Sequence, residues 1–160
     1  MKKNAVFLTL LPVLAVMLTI FLFSAQNAED SSGTSGSIVK WVLSIVVPSL
    51  EQMDAARQQV IRDTAEFIIR KLAHFTEFAA LGFFLMLHLN ELAKKVRLQR
   101  LWLWSWGLST FYAATDEFHQ FFVGGRAPGI RDVCIDSTGA MAGTLAMLLI
   151  LHLCAGKRRR

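Results

Sequence analysis

The chain has 160 residues, 54% of them hydrophobic and 18% charged, with mean hydropathy +0.44 and a formal net charge of +5. That charged fraction is below the rough quarter usual in soluble globular domains, and the length suits one domain spanning residues 1–160. The basic surplus sits in short runs beside apolar segments, a topogenic pattern rather than a nucleic-acid-binding face, so no nucleic-acid partner is expected.

Met1-Lys2-Lys3 precedes an apolar run from Ala5 to Phe23. It outlasts the roughly 7–15-residue core of a cleavable signal and lacks an A-x-A-like end, so it reads as an uncleaved first membrane span with Pro12 as a candidate bend. Residues 24–37 are small, polar and Gly/Ser-rich, the composition of a flexible linker. Ile38 to Val47 is apolar, holds Trp41 and stops at Pro48. It is too short to span and reads as an interfacial or re-entrant segment, the alternative being a hydrophobic staple for the helix that follows. Residues 51–71 mix Met53, Val60, Ile61, Phe67 and Ile68 with charges, including Glu66 and Arg70 at i,i+4, as an outer amphipathic helix does. That helix runs into a second span, Leu72 to Leu89.

Residues 90–100 carry four basic residues and one acid. Leu101 to His119 forms a third span entered through Trp102, Trp104 and Trp106, which read as an aromatic interface belt. Val133 to Cys154 forms a fourth, closed by Lys157-Arg158-Arg159-Arg160, and Gly139-Ala140-Met141-Ala142-Gly143 within it is a GxxxG packing motif. Cys134 and Cys154 fall twenty positions apart in this run, about 30 Å on a helix and beyond disulfide reach. His88 and His152, near the ends of their helices opposite the polar clusters, read as interfacial residues. The N-terminus, the 90–100 loop and the tail are basic, whereas residues 24–71 hold five Lys/Arg against six Asp/Glu. Four spans with both termini in the cytoplasm satisfy all these runs together. The expected fold is therefore an all-α membrane bundle of four spans, with outer helical segments over about 38–71.

In this topology two polar clusters reach the outer side. The first is Arg70, Lys71, His74 and Glu77. The second is Asp116, Glu117, His119 and Gln120, continuing through Gly124, Gly125, Arg126 and Arg131 to Asp132 and Asp136. Ionisable groups in the outer turns of membrane helices are costly unless paired or hydrated, which makes them candidates for function. Helical spacing places Arg70, His74 and Glu77 on one face, Asp116 with His119 and Gln120 on a second, and Asp132 with Asp136 on a third. If these faces turn inward, they form an outward polar pocket.

The blocks Lys71-Leu72-Ala73-His74-Phe75-Thr76-Glu77-Phe78 and Asp116 to Gly143 resemble the VanZ-like family of small bacterial membrane proteins, as does Phe23-Ser24-Ala25-Gln26 after the first span. Lys71, His74, Glu77, Asp116, Glu117, His119, Gln120, Arg126, Asp132 and Gly139 match the family pattern. Asp136 stands where Asn is common, Gly124 where Pro is common, and Phe78 where Tyr is frequent. The founding member is linked to teicoplanin resistance in Gram-positive bacteria, so the resemblance implies a cell-envelope setting in the cytoplasmic membrane, and with it a contribution to glycopeptide resistance.

Read from the residues, the cluster admits several chemistries. Arg70, Lys71, Arg126 and Arg131 suit a phosphate or carboxylate at headgroup level, as on a lipid-linked cell-wall precursor or a lipoglycopeptide. The remaining ionisable groups suit general acid–base catalysis on such a molecule. His74, Glu77, Glu117 and His119 have the ligand types for a divalent metal, though without a zinc-enzyme spacing. Mutual neutralisation that only pins the helices is the structural alternative. The favoured reading is a non-enzymatic binder of an anionic envelope ligand in contact with membrane lipids, with no cofactor.

Overall fold

The computed structural model describes residues 2–126 and 129–157. The tail arginines 158–160 used in the orientation argument lie outside the described residues. Within them the chain forms five helices, α1 (Lys2–Ser24), α2 (Ala28–Val46), α3 (Ala55–Leu92), α4 (Leu98–Gln120) and α5 (Ile130–Lys157), with a 3-10 turn at Leu50–Gln52 and no strand. Three stretches are long and apolar enough to cross a membrane: Asn4–Ser24, Ala55–Leu92 and Ile130–Ala155. Such helices are compatible with a membrane protein.

α3 organises the molecule, because each of the other four helices packs against it. Asp54 caps its start by accepting a hydrogen bond from the Arg57 amide at 3.0 Å. No Pro or Gly then interrupts it before Gly82, so its 38 residues run about 57 Å unbroken. Apolar spans need only about 20 residues to cross a hydrocarbon core of about 30 Å. The Ala55–Lys71 stretch is surplus to that need and pairs with α2 as a helical hairpin, closed by Val39, Leu43 and Leu50 against Ile61, Ala65 and Ile69.

The tightest packing in the bundle is between α3 and α5. A Cβ at Gly139 would strike the Phe75 carbonyl, one at Gly143 the Ala79 carbonyl, and one at Gly82 on α3 the Ala140 carbonyl. The GxxxG motif thus does what such motifs do, bringing two backbones close. Hydroxyls and ring groups join the helices across the interior. Ser105 donates to the Gly82 carbonyl at 3.0 Å, Trp106 to the Ser137 hydroxyl at 3.0 Å, and Tyr112 to the Met17 carbonyl at 2.9 Å.

α4 is polar inside and apolar outside. Its buried face is Leu101, Ser105, Ser109, Ala113, Asp116, Glu117 and Gln120, while Leu103, Trp104, Leu108, Phe111 and Phe118 are exposed. This arrangement is the reverse of a helix on a water-soluble protein.

Several sequence expectations are corrected. Residues 24–37 are not a linker, since α2 begins at Ala28 and carries that segment as helix. Gly33 and Gly36 each disfavour helix by roughly 1 kcal/mol, but burial of Val39 and Leu43 on α3 holds the element. Ile38–Val46 is its second half rather than a separate re-entrant piece, and it ends just before Pro48. The tryptophans differ in their surroundings. Trp104 is exposed, but Trp106 is half-buried, stacks on Trp102 with centroids 6.3 Å apart, and bonds to Ser137. His88 is buried and meets the Thr9 hydroxyl at 3.1 Å, so it ties α3 to α1. Pro12 is accommodated within a continuous α1.

Candidate functional site

Three elements and one loop deliver charge to a single layer. α3 supplies Arg70, Lys71 and His74, one helical turn in extent. The end of α4 supplies Glu117 and Gln120, the loop after it Arg126, and the first two turns of α5 Asp132 and Asp136. These eight side chains line a cavity of ≈ 20 Å³. That is room for about one water molecule. The expected polar pocket is a compact network in this structure.

The network's bonds are specific. Lys71 Nζ pairs with Asp132 Oδ2 at 2.5 Å, both side chains about four-fifths buried. Lys71 also lies over the Phe67 ring at 5.4 Å. Gln120 Nε2 donates to Asp116 Oδ2 at 3.0 Å. Glu117 Oε1 accepts from the Gly129 amide at 2.6 Å, which puts a carboxylate at the start of α5 where the helix dipole favours negative charge. His74 Nδ1 faces Glu77 Oε2 at 3.9 Å, too long for a hydrogen bond. Asp116 is close enough to Glu77 and to Asp136 for their charges to act on one another, so the acid of α4 has one acidic neighbour on α3 and one on α5, the latter on the cavity lining.

Arg126 does something the sequence did not suggest. Its Nε donates to the Gln26 carbonyl at 3.0 Å and its Nη2 to the Phe23 carbonyl at 3.1 Å. A guanidinium thus caps the C-terminal end of α1, where unsatisfied carbonyls and the negative end of the helix dipole gather. Gly125, with φ 73°, supplies the left-handed turn that presents it. Gly124 has open space around its Cα and no such requirement. Burial, followed by the neighbouring Arg70, lowers the Arg126 pKa, but an arginine remains cationic throughout the physiological range.

The remaining predicted residues lie around this centre. Glu77 and Asp116 sit beside the cavity rather than on its lining. His119 turns to α1 and packs on Phe21 with ring centroids 5.1 Å apart. Arg131 is exposed in the first turn of α5. Among the described residues no three His, Cys, Asp or Glu side chains are placed to hold a metal ion, so the set His74, Glu77, Glu117 and His119 does not converge as metal ligands would. The contribution of α1 was missed by reasoning from charge. Ser24 is fully buried, with its hydroxyl beside the Asp116 carboxylate though outside hydrogen-bonding geometry. The signal available was Phe23-Ser24-Ala25-Gln26, an uncharged block that supplies both acceptors of Arg126. A larger cavity of ≈ 820 Å³ lies apart from this cluster, in the α2–α3 hairpin.

On the outside of the same turns the surface is apolar. Phe118 is 64% exposed, Phe121 68%, Phe122 75% and Ile130 84%, while Asp116, Glu117 and Gln120 between them are buried. The charged layer is therefore wrapped by aromatic and aliphatic side chains. The VanZ/LLP1 family model matches residues 9–151. No curated protein and no solved structure matches the chain.

Proposed function

The chain belongs to the VanZ/LLP1 family, and from that premise we propose that it is a four-span envelope membrane protein whose polar layer recognises the anionic group of a lipid-linked ligand. α1, α3, α4 and α5 cross the bilayer, with both termini in the cytoplasm and the α2–α3 hairpin outside. Three features support this topology: the basic 90–100 loop, the inverted polarity of α4, and a collar of phenylalanines at the depth of the charged layer.

The observation that carries the ligand reading is the convergence of Arg70, Lys71 and Arg126 on one cleft wrapped by apolar side chains. Lys71 is engaged by Asp132 and Arg126 by the end of α1, and the cavity between them admits only a water. Recognition therefore takes place on the rim, where Arg70 and the exposed Arg131 meet a phosphate or carboxylate while its chain lies against Phe118, Phe121 and Phe122. A lipid-linked cell-wall precursor has both parts, and so does an acylated glycopeptide.

Binding of undecaprenyl phosphate to the purified protein tests this. Arg70→Ala combined with Arg131→Ala weakens binding at least tenfold while the melting temperature in detergent stays within a few degrees. Undiminished binding in that variant removes the reading. A resistance role follows from the same rim: expression in a susceptible Gram-positive host raises the teicoplanin concentration needed to stop growth, and the double variant does not.

A further inference from the structure

The opposite end of the bundle holds a second cavity, of ≈ 630 Å³, lined by Val6 of α1 and by Glu91, Leu92, Ala93, Lys94, Lys95 and Val96 at the turn from α3 to α4. Its walls are of two kinds. Val6, Leu92, Ala93 and Val96 are apolar, and Leu92 is 58% exposed with no helix covering it. Lys94 and Lys95 are cations on the rim, and Arg97 and Arg100 follow within the next turns. Glu91 takes up one of these charges through a 2.9 Å pair with Lys94. Lys95 forms no ion pair among the described residues.

We infer that this cavity is a binding site for an anionic phospholipid, separate from the polar layer. A soluble anion would gain nothing from the apolar walls, and a zwitterionic lipid gains less from the lysines, because its own cation offsets its phosphate. A phospholipid with net negative charge uses both, its phosphate at Lys94 and Lys95 and its chains against Val6 and Leu92. The wall continues for the length of a chain, since α1 exposes Phe7, Leu11, Leu14 and Leu18 in successive turns. The starts of α1, one turn before Val6, and of α4, two residues after Val96, offset the negative end of α3 at Leu92, leaving the lysines to set the sign of the field. Basic pockets between membrane helices hold acidic headgroups in this way.

The test uses full-length protein in detergent and native mass spectrometry with three probes: phosphatidylglycerol, phosphatidylcholine and soluble glycerol phosphate. The wild type retains one phosphatidylglycerol in preference to phosphatidylcholine, and glycerol phosphate does not displace it at equal concentration. Lys94→Gln with Lys95→Gln weakens retention about fivefold per lysine, the equivalent of ~1 kcal/mol each. Glu91→Gln, which releases Lys94, strengthens it. Arg57→Gln, which removes a cation from the distant hairpin, leaves it unchanged. Equal retention of the two lipids overturns the inference. So does an unaltered lysine double variant, a Glu91→Gln variant that binds no better, or displacement by glycerol phosphate, which would mark an anion site without lipid. If the lysine variant misfolds, the Glu91→Gln arm still decides the outcome.

Discussion

Lys71 and Asp132 are neighbours in the polar layer whose removal has unequal consequences from that of Arg126. Deleting the ammonium leaves a mostly buried carboxylate unpaired, so Lys71→Ala destabilises by about 3 kcal/mol, and adding Asp132→Asn recovers most of the loss. Arg126 holds backbone carbonyls of α1 instead of an acid. Arg126→Ala therefore forfeits two charge-assisted hydrogen bonds, at most roughly 1.5–3 kcal/mol each and less for the exposed one to Phe23, and Asp132→Asn does nothing to restore it. Unfolding of the four variants in detergent, monitored by circular dichroism, separates the two cases. Rescue of Arg126→Ala by Asp132→Asn would place the guanidinium on the acids after all. The roles differ although the sequence gives both cations the same look, because the carbonyls of Phe23 and Gln26 lie about a hundred positions away and a backbone acceptor leaves no trace in composition.

At the scale of elements, glycines separate packing from mere presence. Gly143 sits against the Ala79 carbonyl, so Gly143→Ala must push α5 off α3, an overpacking loss of about 1–3 kcal/mol. Gly107 on α4 has open space about it, and Gly107→Ala is neutral or stabilising by up to about 1 kcal/mol through helix propensity. Paired melting curves check this, and equal shifts for the two would contradict the close α3–α5 contact. The GxxxG spacing made that contact legible in advance, since small residues four apart have few other uses in an apolar helix. α2 was not legible. Gly33, Gly36 and the serines around them argue for a linker locally, and only the burial of Val39 and Leu43 on α3 makes the segment a helix. α4 was legible as an element, yet its mean polarity conceals its geometry. Ser105, Ser109, Asp116 and Glu117 lower its hydropathy while facing inward, so composition understates how apolar its outer surface is. The charged residues of the layer stood out as a set, but the small cavity they enclose depends on rotamers and on the end of α1.

For the molecule as a whole, the question is whether α4 crosses the bilayer, because that fixes the side on which the polar layer lies. Three stretches qualify as spans by hydropathy, and α4 does not. If only α1, α3 and α5 crossed, the turn at Gln99 and the loop at Gly124 would lie on one side. With α4 crossing, they lie on opposite sides, while Gly124 and the hairpin tip at Ser49 share one. Burial favours the crossing, since α4 exposes Leu103, Leu108 and Phe111 along its middle and keeps Ser105 and Ser109 inside. Water would reverse that preference, and lipid requires it. Single cysteines report the answer once the exposed Cys134 and Cys154 are replaced by alanine. Gly124 is the better loop position, because the positive φ of Gly125 strains any side chain. In intact cells an impermeant maleimide labels Ser49→Cys and Gly124→Cys, and it labels Gln99→Cys only after permeabilisation. Labelling of Gln99→Cys together with Gly124→Cys from the same side removes α4 as a span, and labelling of Gln99→Cys alone from outside inverts the molecule. Either result overturns the topology on which the proposed outward position of Arg70 and Arg131 rests, and the proposed ligand with it.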